Sequence, residues 1–193
     1  MTANPSDLIE ELLRAVGDLL AAEREQAGVV VVGGAALAIR GFVDRVTKDV
    51  DVIALAEEGD AGWQIHLTAN LPEALQRAAV RVARDFGLDE NWLNAEVGAL
   101  WVGDLPRSFS SDIEWRTYGG LTVGYVGRTV LIALKLFAAV DSGPADVHFQ
   151  DLCALRPSDA ELEVASAWVE DQDEGTVFPH LLRGVVERYR AQS

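Results

Sequence analysis

Cysteine is nearly absent from this sequence. Cys153 stands alone, which excludes an internal disulfide and any thiolate metal cluster and leaves a small buried apolar role as the expectation. The three histidines, His66, His148 and His180, lie far apart and show no zinc spacing. No apolar stretch reaches the roughly 20 residues that a membrane helix requires. The opening MTANPSDLIEELL has no basic segment followed by an apolar one, so a cytoplasmic chain without a membrane partner is expected. Neither the G-x-G-x-x-G of a dinucleotide site nor the Gly-Lys-Ser/Thr of a P-loop occurs, and no serine sits in a G-x-S-x-G context. Internal repeats, low-complexity segments and a clear linker are missing as well.

Positive charge is also scarce. Sixteen Lys and Arg face 31 Asp and Glu, a formal net charge of −15, so long nucleic acid is repelled on average and a polynucleotide acceptor needs a local basic surface. Arg77, Arg81 and Arg84 fall at helical spacing, and Arg183, Arg188 and Arg190 crowd the C-terminal end; each set is a candidate basic surface but reads first as a solvated helix face. With 193 residues and 49% hydrophobic content, the chain is long enough for a sizeable core and argues against disorder.

What is present is concentrated in Val29 to Val52, VVVVGGAALAIRGFVDRVTKDVDV. The β-branched run Val29 to Val32 predicts a strand buried on both faces, ended by the turn Gly33-Gly34. Ala35 to Arg40 are good helix formers and Gly41 is a suitable stop. If Arg45 to Val52 is extended, Arg45, Thr47, Asp49 and Asp51 share one face while Val46, Val50 and Val52 point to the core beside Lys48. Carboxylates two residues apart on a strand lie roughly 6.5 to 7 Å apart along the chain and can converge on one divalent ion or a metal pair. The chemistry that needs such a pair is phosphoryl or nucleotidyl transfer, in which hard oxygen ligands hold Mg²⁺ against a triphosphate. Glycine-turn amides opening a helix form an anion site, and Arg45 adds a permanently charged donor.

The order hGG, short helix, R-x-T-x-D-h-D within two dozen residues resembles the DNA polymerase β-like nucleotidyltransferase superfamily, and within it the AbiEii-type abortive-infection toxins and related bacterial nucleotidyltransferase-like proteins. The resemblance implies an α/β (α+β) nucleotidyltransferase fold: a mixed β-sheet flanked by helices, with residues 1–127 as the core and a helical C-terminal part, 128–193, packed on it. It implies Mg²⁺ held by Asp49 and Asp51, a nucleoside triphosphate donor, and phosphate contacts from Gly33, Gly34 and Thr47. It further implies that Arg45 and Lys135 offset charge. A toxin would carry an RNA acceptor such as tRNA and an antitoxin protein partner; a non-catalytic nucleotide- or protein-binding member of the same fold is the alternative.

Lys135 is the one polar residue in the apolar run Val130 to Val140, so it either snorkels to the surface or faces something negative. AbiEii-type proteins place a functional lysine in a similar helix. Asp151, one turn from His148 on the next expected helix (Ala145 to Leu155), carries over from the same resemblance as an orienting group or general base. The alternative is a helix-surface or capping charge.

Elsewhere the pattern predicts a helix from Asp7 to Gln26 capped by Ser6, with Leu8 and Leu12 among the inward residues, and a loop at EEGDAG. A short strand at Trp63 to Thr68 and a helix from Pro72 to Asp85 stopped by Gly87 follow. Trp92-Leu93-Asn94 reads as an aromatic anchor in a loop and resembles an element of the same family. Ala99 to Val102 reads as a strand. Asp112 to Thr117 and Leu121 to Val126 flank a Tyr118-Gly119-Gly120 turn as a hairpin, with Asp112 and Glu114 as candidates for a third carboxylate. Ser158 to Glu161 fits a capping box, and Pro179 to Arg190 a last helix with Leu181, Leu182, Val185, Val186 and Tyr189 inward.

Overall fold

A computed structural model of the chain describes residues 5–60, 62–100, 105–142, 146–173 and 175–192. It divides into two compact units, Met1–Val102 with Ile113–Val126, and Gly103–Asp112 with Gly127–Ser193.

The first unit is built on a mixed sheet. The β-branched run becomes β1 (Ala27–Val32), whose last four residues are buried, and the chain passes directly into α2 (Gly33–Ile39), preceded by α1 (Pro5–Glu23). Gly41 follows the helix at φ +73°, the left-handed stop that its lack of a Cβ allows. Strands β2 (Val50–Gly59) and β3 (Gly62–Leu67) form a hairpin, and β5 (Ile113–Tyr118) and β6 (Leu121–Val126) form another across Gly119-Gly120. Between them lie α3 (Glu73–Phe86), the two-residue β4 (Leu93–Asn94) and α4 (Glu96–Leu100).

The strand order is β3-β2-β1-β6-β5, with β4 beside the start of β2. β1 runs parallel to β6, β4 runs parallel to β2, and the hairpin pairs and β1/β2 are antiparallel, so the expected mixed sheet with flanking helices is what forms. A shift in register at Val30/Val31 sets Val52 opposite Val31 but Ala54 opposite Val30, a bulge close to the glycine turn. Helix α1 packs along β5 and β6 and α4 along β2.

In the second unit α5 (Arg128–Ser142) packs against α6 (Val147–Leu155), α7 (Asp159–Glu170) and α8 (Phe178–Gln192). The Phe137 ring lies 6.1 Å from both Trp168 and Phe178. The capping box forms as expected: Ser158 accepts from the Glu161 N–H, and Glu161 accepts from the Ser158 backbone. Glu161 also accepts from Arg128 Nε at 2.7 Å; that guanidinium first, and the Ser158 N–H after it, hold the carboxyl down to about 2.

Several expectations are corrected. Residues 45–49 are not a strand: β2 begins at Val50, and Val46 is 66% exposed rather than in the core. The segment has no strand beside it, since β4 pairs only with Val50 and Asp51 and β1 has already turned into α2. EEGDAG is not an open loop, because cross-strand pairing carries β2 through Glu57 and Glu58 to Gly59. Ser6 lies within α1 and is not its cap, and Leu8 is 38% exposed. Ala99 and Leu100 are helical, and the rest of that expected strand lies outside the described residues. In α8, Leu181 is exposed at 50% while Leu182 and Tyr189 are buried, with Tyr189 Oη donating to Pro157 O at 2.9 Å.

Candidate functional site

In the first unit the site forms where β1 turns into α2 and the chain returns to start β2. Gly33 has φ +69°, a conformation an L side chain adopts only with strain. The space is also taken: a Cβ built on Gly33 would lie 2.5 Å from Asp51 Oδ2. A Cβ on Gly34 would lie 2.7 Å from Thr47 Oγ1 and 3.4 Å from an Arg45 guanidinium nitrogen. The backbone at Gly33 favours glycine, and at both positions the missing Cβ leaves the room into which an acid, a hydroxyl and a guanidinium close on the turn. Thr47 Oγ1 in turn lies 3.1 Å from Asp49 O and 3.2 Å from Asp49 Oδ1, where its hydroxyl donates and ties the 45–49 segment down. Six residues singled out from the sequence, Gly33, Gly34, Arg45, Thr47, Asp49 and Asp51, thus belong to one short stretch of this unit.

Beside it opens a cleft of about 370 Å³, lined by Leu12, Val46, Thr47, Asp49, Val50 and Trp92 among others. Its size falls in the range of small-molecule sites, and its walls are mainly apolar, with Thr47, Lys48, Asp49 and Asp89 as the polar lining.

The candidates for a third carboxylate do not join Asp51. Glu114 stands opposite Tyr125, Tyr125 opposite Val31 and Val31 opposite Val52, so Glu114 shares a face with Val52 and not with Asp51, one residue earlier. It is held there by Arg40 at 3.3 Å and by Arg116. Asp112 precedes β5 and packs against Gly127. Among the described residues no group of three or more His, Cys, Asp or Glu is arranged to hold a metal ion.

In the second unit Lys135 does not snorkel. It is 5% exposed, Asp151 is 2% exposed, and Lys135 Nζ lies 2.8 Å from Asp151 Oδ2. A ring nitrogen of His148 lies 3.3 Å from the same Nζ, and Asp146 caps α6 by accepting from the His148 N–H at 2.9 Å. The i, i+3 spacing of His148 and Asp151 carried this arrangement in the sequence, though only Asp151 was expected to act on the lysine.

Among the described residues, three of the six arginines in the two basic sets pair with acids. Arg77 pairs with Glu73 at 3.0 Å and Glu23 at 3.4 Å, and Arg84 with Asp85 at 3.1 Å; at the C-terminal end Arg190 pairs with Asp159 at 3.0 Å. No helix among the described residues is long and apolar enough to cross a membrane.

A family model described as nucleotidyltransferase of unknown function (DUF6036) matches residues 9–66. The match supports a nucleotidyltransferase-like family. The matched segment runs from α1 into β3 and so takes in the glycine turn, Arg45, Thr47 and Asp51, which meet around Gly33 and Gly34, and Asp49, which Thr47 holds. No curated protein and no solved structure matches the chain.

Proposed function

We propose that the chain is a Mg²⁺-dependent nucleotidyltransferase that moves a nucleoside monophosphate from a nucleoside triphosphate to an acceptor hydroxyl. The observation that carries this reading is the packing of Asp51 Oδ2 and Thr47 Oγ1 directly onto Gly33 and Gly34. Such a turn lets backbone N–H groups come close to phosphate oxygens while the acids stand beside them. Two carboxylates without a third fit Mg²⁺ of a particular kind, the ion that arrives with a triphosphate and is held by one or two acids plus substrate oxygens rather than by a protein cage. When bound, that ion offsets the negative charge developing on the transferred phosphoryl group.

The residues divide the remaining work. Asp49 and Asp51 hold the metal-triphosphate, Thr47 orients Asp49, and Arg45 supplies a fixed positive charge to phosphate oxygens. The apolar cleft of about 370 Å³ beside Asp49 suits a nucleobase and sugar. Lys135 and Asp151, carried into the proposal by the family resemblance, form a buried 2.8 Å pair within the second unit, in which Asp151 holds the ammonium in place. An RNA acceptor and an antitoxin partner belong to the same proposal, but the net charge of −15 and the acid-paired arginines favour an acceptor that is small or a protein.

A second reading has one observation in its favour. The lack of a three-acid cluster among the described residues fits a member that binds nucleotide without transferring it. Calorimetric titration with the four nucleoside triphosphates, with and without Mg²⁺, beside the Asp49→Ala/Asp51→Ala variant, tests the site. Metal-dependent binding lost in the variant is the expected result. Incubation with a labelled form of the bound triphosphate and RNA or protein acceptors then separates the readings, since label transfer abolished by either alanine excludes binding alone. Failure of every triphosphate to bind overturns the proposal.

A further inference from the structure

The Trp92-Leu93-Asn94 triplet is more than an anchor. Trp92 is 2% exposed and its Nε1 donates to Ala79 O in α3 at 3.0 Å, and Leu93 is 3% exposed, so two buried side chains fix where the third residue stands. Val50 N donates to Trp92 O at 2.6 Å, and the parallel pairing of β4 with β2 sets Leu93 beside Val50 and Asn94 beside Asp51. Partners in a parallel ladder project to the same face, with strands about 4.8 Å apart. Asp51 is therefore flanked by Val32 on its β1 side and by an amide on the other.

That amide is oriented. Asn94 Oδ1 accepts from the Glu96 N–H at 3.0 Å, and Nδ2 donates to Asn91 O at 3.2 Å. A carboxylate at this position would keep the first bond and lose the second, since an ionised acid donates nothing. The oxygen still has a second lone pair after accepting from Glu96.

We infer that Asn94 is the third member of the metal-triphosphate site, a neutral oxygen beside Asp51 that leaves the site with two formal negative charges instead of three. This rests on the nucleotidyltransferase reading. Its chemical consequence is that the free divalent ion binds weakly and the metal-triphosphate binds well, because affinity for hard cations rises with the number of ligand charges. A −4 triphosphate also meets less repulsion at a two-acid site.

The test compares wild type, Asn94→Asp, Asn94→Ala, Asp49→Ala/Asp51→Ala and the triple variant Asp49→Ala/Asp51→Ala/Asn94→Asp, each checked for native far-ultraviolet circular dichroism. Mn²⁺ alone is titrated by electron paramagnetic resonance of the free ion, and Mg²⁺ with triphosphate by calorimetry. Asn94→Asp is expected to bind nucleotide-free Mn²⁺ about tenfold more tightly than wild type or better, a gain that disappears when Asp49 and Asp51 are also replaced. Asn94→Ala is expected to weaken Mg²⁺-triphosphate binding about tenfold, the scale of losing one oriented polar contact. If Asn94→Asp binds Mn²⁺ as wild type does, the inference is overturned. It is equally overturned if Asn94→Ala keeps wild-type triphosphate affinity while Asp49→Ala/Asp51→Ala loses it, and the nucleotide reading then stands. If wild type binds no triphosphate the nucleotide reading fails, and the Mn²⁺ titration alone decides Asn94.

Discussion

Replacing Lys135 by Met should be costly at pH 7 and much less so at pH 5. The pair it belongs to is almost fully buried, with 5% and 2% exposure and an N–O distance of 2.8 Å. Methionine fills similar space and removes the charge, so the loss comes from an Asp151 carboxylate deprived of its ammonium rather than from a cavity. Breaking a buried pair from one side costs about 3–5 kcal/mol. The penalty has a ceiling, because the acid can take up a proton: an ordinary Asp titrates near 3.9, and holding it neutral at pH 7 costs about 4 kcal/mol at roughly 1.36 kcal/mol per pH unit. At pH 5 the ceiling falls to about 1.5 kcal/mol by the same relation. The sign follows from proton counting. In the variant the folded state binds a proton that the unfolded state lacks at pH 7, so its stability relative to wild type increases as pH falls toward 4. Urea denaturation of both proteins at pH 7 and pH 5, followed by circular dichroism, reads the difference, expected at about 2.5 kcal/mol between the two pH values. The Lys135→Met/Asp151→Leu double replacement should recover most of the stability at both pH values. A Lys135→Met penalty below about 1 kcal/mol that does not change with pH would refute the desolvated pair. A double variant that is stable yet inactive in transfer would show that the pair is kept for chemistry.

Three further outcomes are expected. Gly33→Ala should lose metal-triphosphate binding at least about tenfold, since it combines about 1–2 kcal/mol of left-handed backbone strain with displacement of the Asp51 carboxylate; calorimetry beside a native circular dichroism spectrum checks it, and wild-type affinity would sink the cradle argument. Asp51→Asn should damage binding more than Asp49→Asn, because Asp51 is set by the β1 and β4 registers while Asp49 is exposed in the 45–49 segment and is held only by Thr47 among the contacts described; equal losses in single-variant titrations would argue against this order. Glu161→Gln should cost about 1 kcal/mol at neutral pH, the scale of a helix cap. Glu161 titrates at about 2 when folded, below the ordinary carboxyl value of 4.5, so its contribution is complete above pH 4.5 and is lost as pH falls toward 2; thermal melts of the variant and wild type should converge over that window.

The parts of the site with strict local geometry were legible in the sequence. A β-branched run ending in two glycines has few structural solutions, and the strand, the turn and the short helix form where the pattern placed them. For Lys135 the apolar run left two outcomes open, snorkelling or a negative partner; the family resemblance pointed to the second and to Asp151, and the pair at 2.8 Å is what forms. The 45–49 segment was misread because alternation of polar and apolar residues predicts a strand only where a neighbouring strand exists to pair with it. Here β1 has already become α2, and Val46 goes to the surface. Glu114 was misread because period two fixes which residues share a face within one strand and says nothing of which face that is in the sheet. The Val30/Val31 shift and the pairing of β5 with β6 decide that, and both are tertiary facts.

The same limit explains why Asn94 was passed over and why Asp51 and Asp49 are unequal. The DVD spacing treats its two acids as equivalent, yet strand pairing begins between them, at Val50. On one side of that boundary the position of a carboxylate is set by backbone hydrogen bonds to two neighbouring strands; on the other it is set by one threonine hydroxyl. A site built this way has one rigid acid and one adaptable acid. The rigid acid lies beside Gly33, where tolerance for displacement is smallest, and the adaptable one borders the apolar cleft, where a ligand would have to enter. Rigidity is thus placed where the proposed chemistry requires fixed geometry, and freedom where binding requires adjustment.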